Sequence, residues 1–173
     1  MNLKNFSLII LIMGMGFLSG CGIYSFTGAS ITPDVKTISI QTFFNNAPLG
    51  PSNMSVTFTE RIKDYYQQNT SLEIVDNNGD LQVDGFISNY TITPVAANTG
   101  TQGQDFSALS RITITVSASY VNLKDPTFDF DKSFSFFKDY DTDTDLASNE
   151  EQFVEEIFDQ IILDIFNASV ANW

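Results

Sequence analysis

The stretch "RITITVSASYVNL", residues 111–123, alternates apolar side chains with hydroxyl-bearing or other small and polar ones. Successive side chains of a β-strand point to opposite faces of the sheet, so this period of two predicts a strand with one core face and one wetter face. The row expected in the core is Ile112, Ile114, Val116, Ala118 and Tyr120, and the hydroxyl row is Thr113, Thr115, Ser117 and Ser119.

The flanking segments predict antiparallel neighbours for this strand. Downstream, "KDP" (124–126) turns the chain, and "TFDFDKSFSFF" (127–137) alternates again, so the two strands should form a hairpin. Upstream, residues 71–93 are interpreted as another hairpin, because Asn78 and Gly79 supply the positive φ angles of a tight turn. In its second strand one face is expected to carry Leu81, Val83, Gly85 and Ile87.

A first strand and a first helix precede these hairpins. Residues 35–44, "VKTISIQTFF", alternate imperfectly and predict a strand. Ser52 or Asn53 can cap a helix that runs to about Gln68. Its apolar residues recur at helical spacing: Met54, Phe58, Ile62, Tyr65 and Tyr66.

The last helix has the strongest pattern in the chain. Ser148 and Glu151 are spaced as a capping box, which predicts the helix start. Its apolar stripe is wider than one sheet requires, so it either forms a deep core with the first helix or meets a second partner in part. The stripe consists of Phe153, Val154, Ile157, Phe158, Ile161, Ile162, Ile165 and Phe166.

The order strand, helix, several antiparallel strands, helix predicts an α+β fold. We expect a two-layer sandwich in which both helices pack on one face of a mostly antiparallel sheet of about four to five strands. The long polar segment 95–109 is either a loose connection or a loop that contacts a partner.

The amino terminus has the anatomy of a secretory signal peptide, with an apolar run at 6–18 that is too short for a permanent membrane span. Leu18, Ser19, Gly20 and Cys21 resemble the bacterial lipobox. That motif implies cleavage before Cys21, diacylglycerol on its thiol and acylation, for instance by palmitate, of the new amino terminus. The alternative is an ordinary secretory signal followed by a free cysteine.

These features divide the chain into three parts. Residues 1–20 are the predicted lipoprotein signal peptide, 21–34 the lipidated cysteine and its tether, and 35–173 a single domain. We expect the acyl chains to hold the protein at a membrane durably.

Composition argues against catalysis and nucleic-acid binding. The chain has no histidine, and its one cysteine is assigned to lipid, which excludes Ser-His-Asp and Cys-His catalysis and His/Cys zinc sites. With a net charge of −13, the protein should repel nucleic acid. We therefore predict that it is not an enzyme and has no cofactor.

One acidic segment has the spacing of a calcium loop. Asp139, Asp141, Asp143 and Glu150 match the first, third, fifth and twelfth positions of an EF-hand, but Thr144 stands where that loop calls for glycine. Weak Ca²⁺ binding and a solvated acidic turn are the two interpretations.

Seven segments together resemble the family of LPS-assembly lipoproteins LptE. In chain order they are "CGIYSFTGAS", "VKTISIQTFFNNAP", the first helix, "GDLQVDGFISNYTITPVAA", "RITITVSASYVNLKDP", "FSFFKDYD" and "IFDQIILDIFNASVANW". The resemblance covers nearly all of the chain after Cys21.

The resemblance implies a non-catalytic role at the periplasmic face of the outer membrane. Members of this family are lipid-anchored plugs of the β-barrel LptD, assist its assembly and serve lipopolysaccharide transport to the cell surface. Basic residues contact lipopolysaccharide in such proteins, and the candidates here are Arg111 and Lys138. The alternative function is a periplasmic lipoprotein that binds another envelope protein or Ca²⁺.

Overall fold

The computed structural model describes residues 31–95 and 108–171. The predictions for Leu18, Ser19, Gly20 and Cys21, and for most of the 95–109 segment, lie outside these residues. In chain order the elements are β1 (Thr37–Ile40), β2 (Phe44–Asn45), α1 (Met54–Asn69), β3 (Glu73–Ile74), β4 (Leu81–Val95), β5 (Leu109–Asn122), a 3₁₀ turn (Pro126–Phe128), β6 (Phe130–Asp141) and α2 (Leu146–Ser169).

The six strands form one sheet in the order β3-β1-β4-β5-β6, with β2 also paired to β4. Strands β4, β5 and β6 make an antiparallel meander, whereas β1 and β2 run parallel to β4 and β3 runs parallel to β1. The predicted α+β sandwich is confirmed, with a sheet that is larger and more mixed than expected.

Both helices cover one face of this sheet and bury its apolar rows. All five residues of the predicted core row of β5 are buried, and the hairpin of β5 with β6 is confirmed. On α1, Met54, Phe58, Ile62 and Tyr66 are buried. The wide stripe of α2 is deep core: the rings of Phe58 and Phe158 meet edge to face with centroids 4.9 Å apart. The residues of α2 that are buried are Val154, Ile157, Phe158, Ile161, Ile162, Ile165, Phe166 and Ser169.

The predicted hairpin at 71–93 is wrong, because β1 lies between β3 and β4. Asn78 does have a positive φ of 57°, but the turn carries the chain across β1 instead of folding it back on β3. At the crossing, a Cβ on Gly79 would lie 2.4 Å from the backbone nitrogen of Ser39. Only glycine lets the two backbones approach so closely.

The capping box predicted at Ser148 and Glu151 is also wrong. The helix begins one turn earlier, at Leu146 with Asp145 as its N-cap residue, and the Ser148 hydroxyl donates to the Asp145 carboxylate over 2.5 Å. Glu151 instead accepts a hydrogen bond from the side chain of Asn53, the N-cap residue of α1, over 3.2 Å.

Two strands depart from their simple pattern. The predicted first strand is interrupted between β1 and β2, where the amide of Phe43 donates to the Thr59 hydroxyl over 3.0 Å and its ring enters the core. In β4 the register shifts between Ile87 and Asn89, which places Tyr90 on the core face. In the described ranges no helix is long and apolar enough to cross a membrane.

Candidate partner-binding surface

Among residues 31–95 and 108–171, no helix packs on the second face of the sheet. Directly opposite residues of paired strands share a face, so the register assigns the side chains of this open face. Its members on β5 are Leu109, Arg111, Thr113, Thr115, Ser117, Ser119 and Val121; on β4, Gln82, Asp84, Phe86, Asn89, Thr91, Thr93 and Val95; and on β6, Asp131, Ser133, Ser135, Phe137, Asp139 and Asp141. The surface defined by these residues is called the open face below, and half of its side chains are hydroxyl or amide.

Hydroxyl pairs bridge the strands of the open face. The Thr115 hydroxyl donates to that of Ser135 over 3.1 Å, and the hydroxyls of Ser117 and Ser133 lie 3.1 Å apart. Each hydroxyl has one donor and two acceptor positions, so these pairs keep hydrogen-bonding capacity for a partner or for water. The hydroxyl row that the sequence predicted for the wetter face of β5 lies on the open face.

A charged cluster lies at one end of the open face. Asp139 accepts from Nε and Nη2 of Arg111 over 2.6 and 2.8 Å, and the guanidinium stacks 3.7 Å above the Phe137 ring. The paired guanidinium holds the pKa of Asp139 below its usual value, and the carboxylate raises the pKa of Arg111. The side chains are both about one third exposed, which limits the energy of this pair. One guanidinium and one carboxylate cancel, so the Arg111–Asp139 pair carries no net charge.

Two phenylalanines form an apolar spot on the β2–β4 pair. Phe44 and Phe86 are directly opposite each other and are 65 % and 40 % exposed. The sequence pattern did not predict an exposed role for either of them or for Phe137. The signal was available for Phe86, because it falls out of phase with the buried residues Val83 and Ile87 in β4.

The two candidate lipopolysaccharide contacts lie on opposite faces of the sheet. Arg111 is on the open face, whereas Lys138 is opposite the buried Ile112 and donates to Glu156 of α2 over 2.6 Å. Lys138 holds the pKa of Glu156 below its usual value. The structure therefore does not bring the two cations into one site, and each already has a carboxylate partner.

The four candidate calcium ligands are not brought together. Asp139 is held by Arg111, and Glu150 on α2 accepts from the Tyr90 hydroxyl over 2.6 Å. Burial, together with that contact, raises the pKa of Tyr90. Asp141 ends β6 and Asp143 follows in the turn. Within residues 31–95 and 108–171, no group of three or more carboxylate or cysteine side chains is arranged to hold a metal ion.

Buried polar groups elsewhere serve packing between the helices. Ser169 donates to the carbonyl of Phe166, so it accepts from the Tyr66 hydroxyl 2.5 Å away. Burial raises the pKa of Tyr66, and burial with the nearby charge of Asp129 raises that of Tyr120 to about 12. Both phenols therefore stay protonated at neutral pH.

Comparison with known proteins gives one family and a set of similar folds. The family model described as "LptE: Lipopolysaccharide-assembly" matches residues 35–169. The solved structure of hypothetical protein CT253 from Chlamydia trachomatis is similar with a TM-score of 0.52 and 11% identity, over 80% of this chain and 99% of that one. No curated protein sequence matches significantly.

Two lipoprotein structures are similar at lower scores. A minor lipoprotein from Acinetobacter baumannii is 14% identical over 79% of this chain and 96% of its own, with a TM-score of 0.46. The rare lipoprotein B from Shewanella oneidensis is 14% identical over 75% and 93%, with a TM-score of 0.44.

Proposed function

Since this chain belongs to the LptE family of lipopolysaccharide-assembly proteins, we propose that it is a lipid-anchored plug and assembly factor of an LptD-type β-barrel. In this role it serves lipopolysaccharide transport to the outer-membrane surface without catalysing a reaction. Its contribution is a folded surface that the barrel closes around.

The observation that carries this proposal is the open face. The helices pack on one side of the sheet, while on the other side β4, β5 and β6 carry rows of hydroxyl and amide side chains with charged and apolar residues among them. The interior of a large outer-membrane barrel is polar and accepts such a surface. A hydroxyl-rich face keeps its hydrogen bonds with water when free and exchanges them for barrel side chains when bound.

The anchor proposed at Cys21 fits the same role. The described domain begins at Ile31, and a chain from Cys21 to that residue spans at most about 35 Å. Such a tether keeps the domain close to the bilayer surface and raises its effective concentration at a barrel in the same membrane. The residues after Cys21, "GIYSF", carry no acidic run, so we assign the periplasmic face of the outer membrane.

Lipopolysaccharide contact is a weaker part of the role. Arg111 and Lys138 are each neutralised by a carboxylate, and a phosphate group would have to displace that carboxylate to bind. The net charge of −13 adds repulsion. We therefore assign the barrel contact, and not direct glycolipid binding, to the described domain.

Co-purification tests the proposal. The mature lipoprotein is isolated from detergent-solubilised outer membrane, and the proteins that accompany it are identified and quantified. We expect a β-barrel in one-to-one amount. Ser117→Arg, which places a bulky cation in the middle of the open face, should abolish this association. The matched control is Gln67→Arg on the exposed side of α1, which should leave it intact.

Cellular measurements distinguish the alternatives. Depletion of the protein should reduce both folded barrel and surface lipopolysaccharide. Unchanged levels of both, or a different envelope protein in place of the barrel, contradict the proposal. Isothermal titration with Ca²⁺ should give no heat of binding, and a stoichiometric heat favours the calcium-binding alternative.

A further inference from the structure

Strand β6 lies at the edge of the sheet. Among the described residues it pairs with β5 alone, from Phe130 to Asp141. An edge strand presents a row of unpaired backbone N–H and C=O groups to which another extended chain can add. Side chains along this edge are exposed, including those of Ser133, Ser135 and Phe137. In the part of the chain that the structure describes, the edge is therefore open to an added strand.

Two hydrogen bonds fix which residues present their backbone groups to the outside. The amide of Thr142 donates to the carbonyl of Ala108 over 2.9 Å, so these directly opposite residues form a hydrogen-bonded pair. On the other side of β5, the amide of Leu123 donates to the carbonyl of Asp80. Odd-numbered residues of β5 therefore bond to β4, which leaves the even-numbered ones to bond to β6 and agrees with the Thr142–Ala108 pair. Hydrogen-bonded pairs alternate along an antiparallel ladder. The odd-numbered residues between 131 and 141 therefore turn their N–H and C=O groups away from β5.

A groove with a volume of about 340 Å³ runs beside this edge, between β6 and α2. Phe136 and Phe137 line it from the strand, with 37 % and 43 % of their surface exposed, and Ile157 lines it from the helix. Glu156, Asp159 and Gln160 of α2 and Lys138 of β6 also line it, with Lys138 paired to Glu156. A side chain of an added strand has room here between aromatic rings and charged groups of both signs.

A second copy of this chain is a poor occupant of the edge. Backbone phase requires odd-numbered residues to face odd-numbered residues. In the two antiparallel registers with the greatest overlap, Asp131 is then opposite either Asp139 or Asp141 of the second copy. Asp139 is paired with Arg111, so the second register, which opposes the exposed Asp131 and Asp141 twice, is the more strongly disfavoured. Like charges directly opposite each other destabilise a strand pair. The charge pattern thus selects against self-pairing.

The same charges indicate what the edge does accept. Asp131 and Asp141 are exposed at the two ends of the open-face row of β6, in a chain with a net charge of −13. A closed barrel has no free strand edge, so the barrel wall itself cannot pair here. We propose that β6 binds, by strand addition, an extended segment of a different protein that carries lysine or arginine side chains opposite Asp131 and Asp141. This inference holds whether or not a barrel is the main partner.

A designed peptide tests the inference on the purified mature chain in detergent. The probe has 12 residues, the length of β6, and alternates threonine and valine, with lysines at the positions that face Asp131 and Asp141. A matched peptide carries glutamate at both positions. Fluorescence anisotropy should detect binding of the lysine peptide and at least about tenfold weaker binding of the glutamate peptide.

Backbone substitution separates strand addition from mere charge attraction. Ser133→Pro removes an outward N–H without breaking the β5–β6 ladder, and proline is tolerated on edge strands. Ser133→Ala, the control, removes the same hydroxyl and keeps the N–H. We expect binding about tenfold weaker for Ser133→Pro than for Ser133→Ala.

Amide hydrogen exchange on the unsubstituted protein gives a readout that does not depend on folding of a variant. The lysine peptide should slow exchange at Ser133, Ser135 and Phe137, whose amides point outward. Equal binding by the two Ser133 variants, absence of protection at these amides, or a concentration-dependent dimer in sedimentation would each overturn the proposal.

Discussion

The carboxylate of Asp80 joins the start of β4 to the start of β1. It accepts hydrogen bonds from the backbone amides of Lys36 and Thr37 over 2.9 and 3.1 Å, and its second oxygen lies 3.0 Å from Nζ of Lys124. The amide of Lys36 and the ammonium of Lys124 hold the pKa of Asp80 well below its usual range. One side chain therefore fixes the point where the chain enters its longest strand.

This contact predicts an acid-sensitive contribution to stability. Since the pKa of Asp80 is lower in the folded than in the unfolded chain, its stabilisation is present above the ordinary carboxyl pKa of about 4 and is lost as the pH falls below that value. Asp80→Asn should lower the urea midpoint at pH 7, and the gap to the unsubstituted protein should narrow between about pH 4 and pH 2.

Asp84→Asn is the matched control for this measurement. It removes one carboxylate from an exposed position of β4 and should leave the free energy of unfolding within about 0.5 kcal/mol of the original at both pH values. A gap at Asp80 that does not change with pH would contradict the assignment, because an uncharged contact does not titrate.

The sequence alone does not predict single-residue roles such as that of Asp80. Asp80 follows Gly79 in "NNGD", which predicts a turn from local preferences alone. Its partners Lys36 and Lys124 are more than 40 positions away, so the contact depends on a crossing that no local pattern encodes. Arg111 and Asp139 were both singled out, but for two different sites, and only strand register shows that they form a pair.

At the scale of elements, α2 illustrates how packing outweighs ion pairs. Phe158 is fully buried, and its ring contacts that of Phe58 with centroids 4.9 Å apart. The next residue, Asp159, accepts from Nη2 of Arg61 over 2.6 and 2.7 Å, but its side chain is 55 % exposed. Both contacts join α2 to α1, and they differ mainly in exposure.

These neighbours predict very different mutational effects. Phe158→Ala should lower the free energy of unfolding by about 3–5 kcal/mol, because it leaves a cavity between the helices. Asp159→Ala should cost at most about 1 kcal/mol, as is usual for an exposed ion pair. Urea denaturation of the two variants checks the contrast, and comparable losses would show that the ion pair, and not the apolar stripe, joins the helices.

The elements that the sequence predicted well are those with a long, uninterrupted period. The row from Ile112 to Tyr120 in β5 and the stripe of α2 need no distant information, since each is long enough to show its buried side. The predictions failed for short elements. β3 has only two residues, so its pairing with β1 instead of β4 depends on the path of the chain and not on its own pattern.

At the scale of the whole molecule, the proposed function predicts separable roles for the tether and the open face. In that proposal the open face determines whether the domain binds the barrel at all, whereas the anchor at Cys21 determines how often the two meet. A high concentration of the untethered domain can compensate for the loss of the tether, because the tether acts only by raising the effective concentration. It cannot compensate for the loss of the contact surface. Overproduction should therefore rescue one kind of defect and not the other.

A signal exchange tests this distinction. Replacing residues 1–21 by a cleavable secretory signal that leaves no cysteine should release the domain into the periplasm and reduce folded barrel at normal expression. Overproduction should restore it, because mass action compensates for the missing tether. Ser117→Arg with its anchor intact should not be rescued.

The control restores the cysteine behind an unrelated lipoprotein signal and should behave as the original. Mass spectrometry of that mature chain should find acyl chains on the cysteine. If the released domain stays inactive at every expression level, the anchor does more than concentrate the domain, and the separation of roles is wrong.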